Sequence, residues 1–149
     1  MTNTSRAFVV VVGVDGSDSS RSALSWAAAE ARLRNGQLVV ITCWTAPVFV
    51  AGLNPALYER DSFIHVAETI QRQAVKDAGA ADVPIRTQIV EGQPASVLVA
   101  ASRDADLLVV GSRGQGGFAG LHLGSVPGHL VHHALCPVLV LREPSERPS

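Results

Sequence analysis

The sequence predicts an α/β domain: an open parallel sheet with helices on both faces. Three observations point there. Short β-branched runs alternate along the chain with longer segments of helical periodicity, the pattern of repeated strand–helix units. The runs Phe8–Asp15 and Leu38–Trp44 are apolar without strict alternation, as strands buried on both faces are. The chain has 149 residues, of which 47% are hydrophobic. That length favours one domain with a substantial core, and that composition is too apolar for a disordered chain.

The elements follow in order. The first strand leads into Asp15-Gly-Ser-Asp-Ser, where Ser17 or Asp18 can cap a helix. That helix runs from about Ser19 to Asn35, with Ala23, Leu24, Ala27, Ala28 and Ala31 on one face. Gly36 is expected to stop it in a left-handed conformation. After the Leu38–Trp44 strand comes a loop from Thr45 to about Glu59, long enough to suggest function. Asp61–Ala78 reads as a helix with Ile64, Ala67, Ile70 and Ala74 along one face, ended by Gly79. Ile85–Val90 is a strand whose alternation predicts a more exposed position. Gln93-Pro94 opens a third helix, its proline in the first turn where a missing donor is harmless. Val97, Leu98, Ala101 and Ala105 line its buried side. Leu107–Val110 is the fourth strand, Ser125–Leu135 a fourth helix and Pro137–Leu141 the fifth strand. Residues 1–142 form the domain, and 143–149 read as a disordered tail.

Composition excludes several classes. The formal net charge is -1, so no basic excess recruits nucleic acid and no acidic tail is present. Two cysteines, Cys43 and Cys136, make no disulfide framework, and a reducing compartment is the default. Both are expected to behave as small apolar residues. The start, Met1–Ala7, is short and polar, and Phe8–Val12 is too short for a signal core or a membrane span. A soluble, cytoplasmic protein is expected.

The stretch Gly111–Ser125 carries the chemistry. Seven of the thirteen glycines fall between Gly111 and Gly128. The stretch is bracketed by a buried strand and a helix. Glycines let backbone amides approach an anion closely, and the helix that starts at Ser125 adds free amides and a favourable dipole. The dipole alone contributes only ~0.3–1 kcal/mol at an exposed site, so several amides and a hydroxyl must act together. The P-loop pattern fails, because it needs Gly-Lys and the chain's single lysine, Lys76, lies in a helix. The dinucleotide fingerprint fails as well: Gly114, Gly116 and Gly120 miss its spacing by one, and no acid follows before Glu143. In parallel sheets ligands sit beyond the carboxyl ends of strands at the point where strand order reverses. Asp15 and Gly111 both occupy strand ends and face one crevice if their strands are neighbours there.

The spacing Gly111, Gly114, Gly124, Ser125 fits Gly-x2-Gly-x9-Gly-Ser/Thr. It resembles the nucleotide-binding signature of the universal stress protein family. The resemblance covers nearly the whole chain and includes residues 12–17, 90–95, 105–114, 123–126 and 136–140. It implies a Rossmann-like fold of the adenine nucleotide alpha hydrolase-like kind, with strand order 3-2-1-4-5. It also implies an adenine-nucleotide site and a homodimer paired through the last strand.

Carried over by position, the resemblance gives each site residue an expected role. Asp15 meets the ribose or adenine. Gly13, Val14 and the backbone near Trp44 wall the base. Val110 and Gly111 lie at the adenosine end. Ser112, Arg113 and Gly114 approach the phosphates, and Gly124, Ser125 and Val126 close the triphosphate cradle. Many relatives have a small aliphatic residue where Trp44 stands, so the ring either stacks on adenine or narrows the pocket. Mg2+ would be held through the phosphates, with no protein metal site.

Other candidates have blander readings. Asp15 is also a turn former, and Arg113, the best side-chain partner for phosphate in this lysine-poor chain, is also an ordinary loop cation. His129 and His133 have the spacing of half a zinc-protease motif, but Leu130 stands where its glutamate is needed. Helix surface or dimer packing is the expected role of these rings. Residues 124–128 lack the nucleophile-elbow spacing. The function expected is an ATP-binding switch in stress responses with no catalytic residue. The alternatives are cyclic AMP binding, or slow ATP hydrolysis or self-phosphorylation, for which Gln115 is the one loop residue able to orient water. A dimer that works mainly through protein contact is a further alternative.

Overall fold

The computed structural model describes residues 6–45, 60–113 and 124–142. Five strands and four helices alternate: β1 (Val9–Gly13), α1 (Asp18–Leu33), β2 (Gln37–Trp44), α2 (Arg60–Ala78), β3 (Ile85–Glu91), α3 (Pro94–Ser102), β4 (Leu107–Gly111), α4 (Ser125–His133) and β5 (Val138–Leu141). The strands form one sheet in the order β3-β2-β1-β4-β5, and every pairing is parallel. The expected fold and strand order are both observed. The order reverses between β1 and β4. The predicted loop lies outside the described residues from 46 to 59, as does the tail, 143–149.

Strand periodicity divides the core into two layers. Val10, Val12, Leu38 and Val40 face one way and pack with Ala23, Leu24, Ala27, Ala28 and Ala31 of α1. Val11, Val39, Ile41, Leu108 and Val110 face the other way, with Leu98 of α3 and Leu130 of α4. β1 lies at the centre, with Val10 and Val12 completely buried. The edge strand β3 has no fully buried residue, which fits its sequence alternation.

Local chemistry fixes the element ends. Ser17 caps α1, and its hydroxyl accepts from Ser20 N at 3.1 Å. At the other end Gly36 N donates to Ala31 O at 2.8 Å and Asn35 N to Arg32 O at 3.2 Å. This paired bonding closes a helix through a left-handed residue. That residue is Asn35, with φ 50°, and not Gly36 as the sequence suggested. Asparagine tolerates the left-handed region better than most residues. Gly36 answers a different constraint: a Cβ there would overlap the carbonyl oxygen of Phe8. Gly79 does end α2 as expected, with φ 62°.

α4 stops at His133, two residues short of the sequence estimate. Ala134 turns extended, and Leu135 N donates to Ser102 Oγ at 2.8 Å. That side-chain acceptor diverts an amide that a longer helix would have used. Asp106 fastens the start of β4: its carboxylate accepts from Val9 N at 2.8 Å and from Arg6 at 2.8 Å. Gln71 of α2 is buried on the sheet, where its amide donates to Val40 O at 3.1 Å and Gln88 O at 2.9 Å. The sequence pattern gave no hint of it, because glutamine reads as a solvent-facing position.

Replacing Gly36 with alanine should destabilise the fold by about 1–3 kcal/mol, the usual range for forced overpacking. A urea midpoint lowered with an unchanged slope is the expected result.

Candidate functional site

The carboxyl ends of β1 and β4 lie side by side, and the first turn of α1 binds both. On the β1 side, the Asp15 carboxylate accepts from Ser17 N at 2.9 Å and from Ser17 Oγ at 2.6 Å. This is an Asx-type turn, with Gly16 between them at φ 89°. Asp15 N donates to Ser20 Oγ at 3.2 Å. Asp15 is therefore a turn former, and the same bonds fix its carboxylate at the mouth of the crevice.

On the β4 side, Arg113 N donates to Ser19 Oγ at 3.3 Å. Ser19 sits directly on Gly111, so close that a Cβ at Gly111 would overlap its Oγ. Ser112 is 1% exposed, and its N–H donates to Leu141 O at 2.9 Å at the end of β5. Its carbonyl accepts from Gly124 N at 2.9 Å. The two ends of the glycine-rich segment thus meet. Gly124 is the cap residue of α4 and offers no side chain to its first turn. Pro127 has no amide proton and Gly128 N is bonded to Gly124 O at 3.1 Å, so among the described residues the first-turn N–H groups open to an anion are those of Ser125 and Val126.

The glycines here have different causes. Gly111 is required by packing, since a Cβ there would strike the side chain and backbone of Ser19, whereas one at Gly13 would lie 2.9 Å from Leu98 Cδ1, a side-chain end that can shift. Gly124 has φ -62° and ψ 169°, which any residue adopts. Among the described residues a Cβ there meets nothing nearer than Ser112 O at 3.4 Å, which is ordinary contact.

Trp44 ends β2 in a cluster of its own. It is 9% exposed. Its ring stacks with Phe63 of α2 at 6.2 Å between centroids and 11° between planes. The Arg60 guanidinium carbon lies 5.2 Å from the ring centre, and Arg60 also pairs with Glu91 at 2.8 Å. Trp44 O accepts from Gly92 N at 3.0 Å. The ring is thus engaged on α2.

The structure brings Asp15, Gly111, Ser112, Arg113, Gly124, Ser125 and Val126 to one end of the sheet, beside Gly13, Val14 and Val110. Gly114 and Gln115 lie outside the described residues. The sequence reading missed Ser19 and Ser20, which join the two strand ends. A signal was present: both serines continue the stripe of Ala23, Leu24, Ala27 and Ala28 one turn earlier, and both are buried. Cys43 is half-buried and its thiol is pushed up to about 11 by burial. The Cys136 thiol is also raised, by burial and then by the nearby Asp106 charge. Neither is an activated nucleophile.

Residues 8–142 match the family model for the universal stress protein family. Universal stress protein Rv2005c of Mycobacterium tuberculosis is 37% identical over 136 residues, covering 90% of this chain and 45% of the relative. A universal stress protein of Mycolicibacterium smegmatis is 35% identical, with 89% and 45% covered. The chain therefore spans about half the length of these curated relatives. Among solved structures, a universal stress protein in complex with cAMP is 33% identical with a TM-score of 0.67, covering 93% of this chain and 98% of that one. UspA from Lactobacillus plantarum has a TM-score of 0.75 at 23% identity, with coverage of 93% and 100%. An Arabidopsis thaliana family member with AMP bound has a TM-score of 0.63 at 22% identity, with coverage of 95% and 97%. At the last two identities the likeness speaks for the fold alone.

Gly111→Ala should cost about 1–3 kcal/mol of stability, whereas Gly124→Ala, at a helix cap where alanine serves less well than glycine, should cost about 0.5–1 kcal/mol. Urea unfolding of both variants checks the contrast. A raised pKa keeps Cys43 a neutral thiol until strongly alkaline pH. In the Cys136→Ser chain, a thiol reagent at pH 8 should therefore label Cys43 far more slowly than in the unfolded chain.

Proposed function

The chain belongs to the universal stress protein family, and from that premise we propose that it binds an adenine nucleotide, with ATP the principal ligand, between the carboxyl ends of β1 and β4. One observation carries the reading. Gly124 needs to be glycine for neither its backbone angles nor its described neighbours, yet it heads a helix beside the crevice, where a Cβ would stand in the way of an anion. That open approach to the first turn of α4 supports an anion arriving from outside.

In this reading Asp15 meets the ribose, and Gly13, Val14 and the Trp44 backbone wall the base. Val110 and Gly111 border the adenosine. Ser112, Arg113 and Gly114 reach the phosphates, and Gly124, Ser125 and Val126 close on the terminal ones through amides and a hydroxyl. Mg2+ is held through phosphate oxygens, in keeping with its preference for hard oxygen ligands. The packing of the Trp44 ring on Phe63 and Arg60 favours a fixed wall over a ring that swings onto adenine. The protein acts as a binding switch in stress responses and not as an efficient enzyme. A homodimer through β5 belongs to the same proposal, supported by the half-buried state of every residue in that apolar edge strand. A cytoplasmic location goes with it, because that is where ATP is abundant.

The 33%-identical structure in complex with cAMP favours a second reading, in which cyclic AMP is the preferred ligand. The two differ at the terminal phosphates, which cyclic AMP lacks. Isothermal titration should give binding of Mg-ATP, with Asp15→Ala weakening it by about tenfold or more, as the loss of a hydrogen bond to a charged group does. Gly124→Val should weaken ATP severely and cyclic AMP little. Cyclic AMP displacing ATP at far lower concentration would establish the second reading, and no binding of either at millimolar nucleotide would refute both.

A further inference from the structure

We propose that His129 and His133 form a chelating site for one divalent transition-metal ion of the zinc, nickel or copper class, separate from the nucleotide crevice. The two residues are four apart on α4, which is helical throughout Ser125–His133. One helical turn therefore stacks their side chains on the same face. Their ring centres lie 4.3 Å apart with 37° between the planes. Both residues are exposed, so an ion reaches them without opening the fold.

The separation matches the chemistry. Two imidazoles that share one ion at about 2.0–2.1 Å, with an angle near tetrahedral or square, place their ring centres about 4.5–5 Å apart. Rotation of the two rings covers the remaining few tenths of an ångström, and the helix need not move. Imidazole suits zinc, copper and nickel, whereas magnesium prefers oxygen. The site is thus chemically distinct from Mg2+ held on nucleotide phosphates. His132 stands edge-on to His133 at 6.4 Å. Among the described residues no group of three His, Cys, Asp or Glu side chains gathers to hold an ion. The chelate therefore has two protein ligands among the described residues. Leu130 excludes the glutamate-assisted hydrolysis of the zinc proteases, but a two-histidine chelate needs no glutamate.

The test is zinc titration of the nucleotide-free full chain carrying Cys136→Ser, which removes the half-exposed thiol as a competing ligand. One ion per chain is expected, with micromolar affinity. His129→Gln and His133→Gln should each weaken it by about tenfold or more, while His132→Gln should change it by less than about twofold. Far-ultraviolet circular dichroism of each variant verifies the helix, since glutamine is at least as good a helix former as histidine. Cu2+ bound to the same chain should show two imidazole nitrogens by electron paramagnetic resonance. The proposal is overturned by an absence of zinc binding up to 1 mM (about the weakest affinity worth calling a site), by unchanged affinity in His129→Gln or His133→Gln, or by a loss that follows His132 instead.

Discussion

The arrangement at the carboxyl end of the sheet depends on how closely α1 approaches β4. The first turn of α1 lies directly on Gly111, at a distance that only a residue without a side chain permits. That contact lets one run of serines tie down two strand ends at once. Ser17 and Ser20 hold the backbone and carboxylate of Asp15 after β1, and Ser19 holds the Arg113 amide after β4. The crevice at the reversal of strand order is therefore bounded on one side by a hydrogen-bonded helix start and not by a loose loop. Hydrogen bonds of this kind contribute about 0.5–1.5 kcal/mol each. Their greater effect here is geometric, since the strand ends and the helix cannot shift independently.

Much of this was legible in the sequence. The unbroken apolar runs marked the buried strands, the helical stripe from Ala23 to Ala31 marked the packed face of α1, and the polar turn after β1 and the glycine-rich stretch after β4 marked where chemistry would gather. Periodicity and turn preferences are local, and the sequence states them directly. What was not legible depends on contacts between distant segments. Gly36 read as the left-handed helix stop, because its actual reason, the Phe8 carbonyl just before β1, comes from a distant segment. Ser17 read correctly as a capping residue, but Ser19 and Ser20 carried no reading of their own, when both belong to the buried stripe. Trp44 read as part of a base pocket, and only the packing of α2 reveals Phe63 and Arg60 against its ring.

As proposed, the nucleotide crevice and the histidine pair hold a charged ligand in two different ways. In that proposal the crevice meets the phosphates mainly with backbone amides at the start of α4, which suit an anion. The histidine pair uses two side chains on one exposed helical turn, which suit a soft cation and ask little of the fold. Both involve α4, one at its first residues and the other at its last.

The attachment of α2 mixes two kinds of bond with different sensitivities. Its middle is secured by the neutral amide of Gln71 on the carbonyls of β2 and β3, within the protein. Its start is secured near Trp44 by the stacking of Phe63 and by the Arg60–Glu91 pair, whose partners are both substantially exposed. Exposed charges lose their attraction as ionic strength rises, while a buried neutral hydrogen bond does not. High salt should therefore loosen the end of α2 beside the crevice and leave its centre in place. The helix would behave as a lever with a salt-insensitive pivot and a salt-sensitive tip.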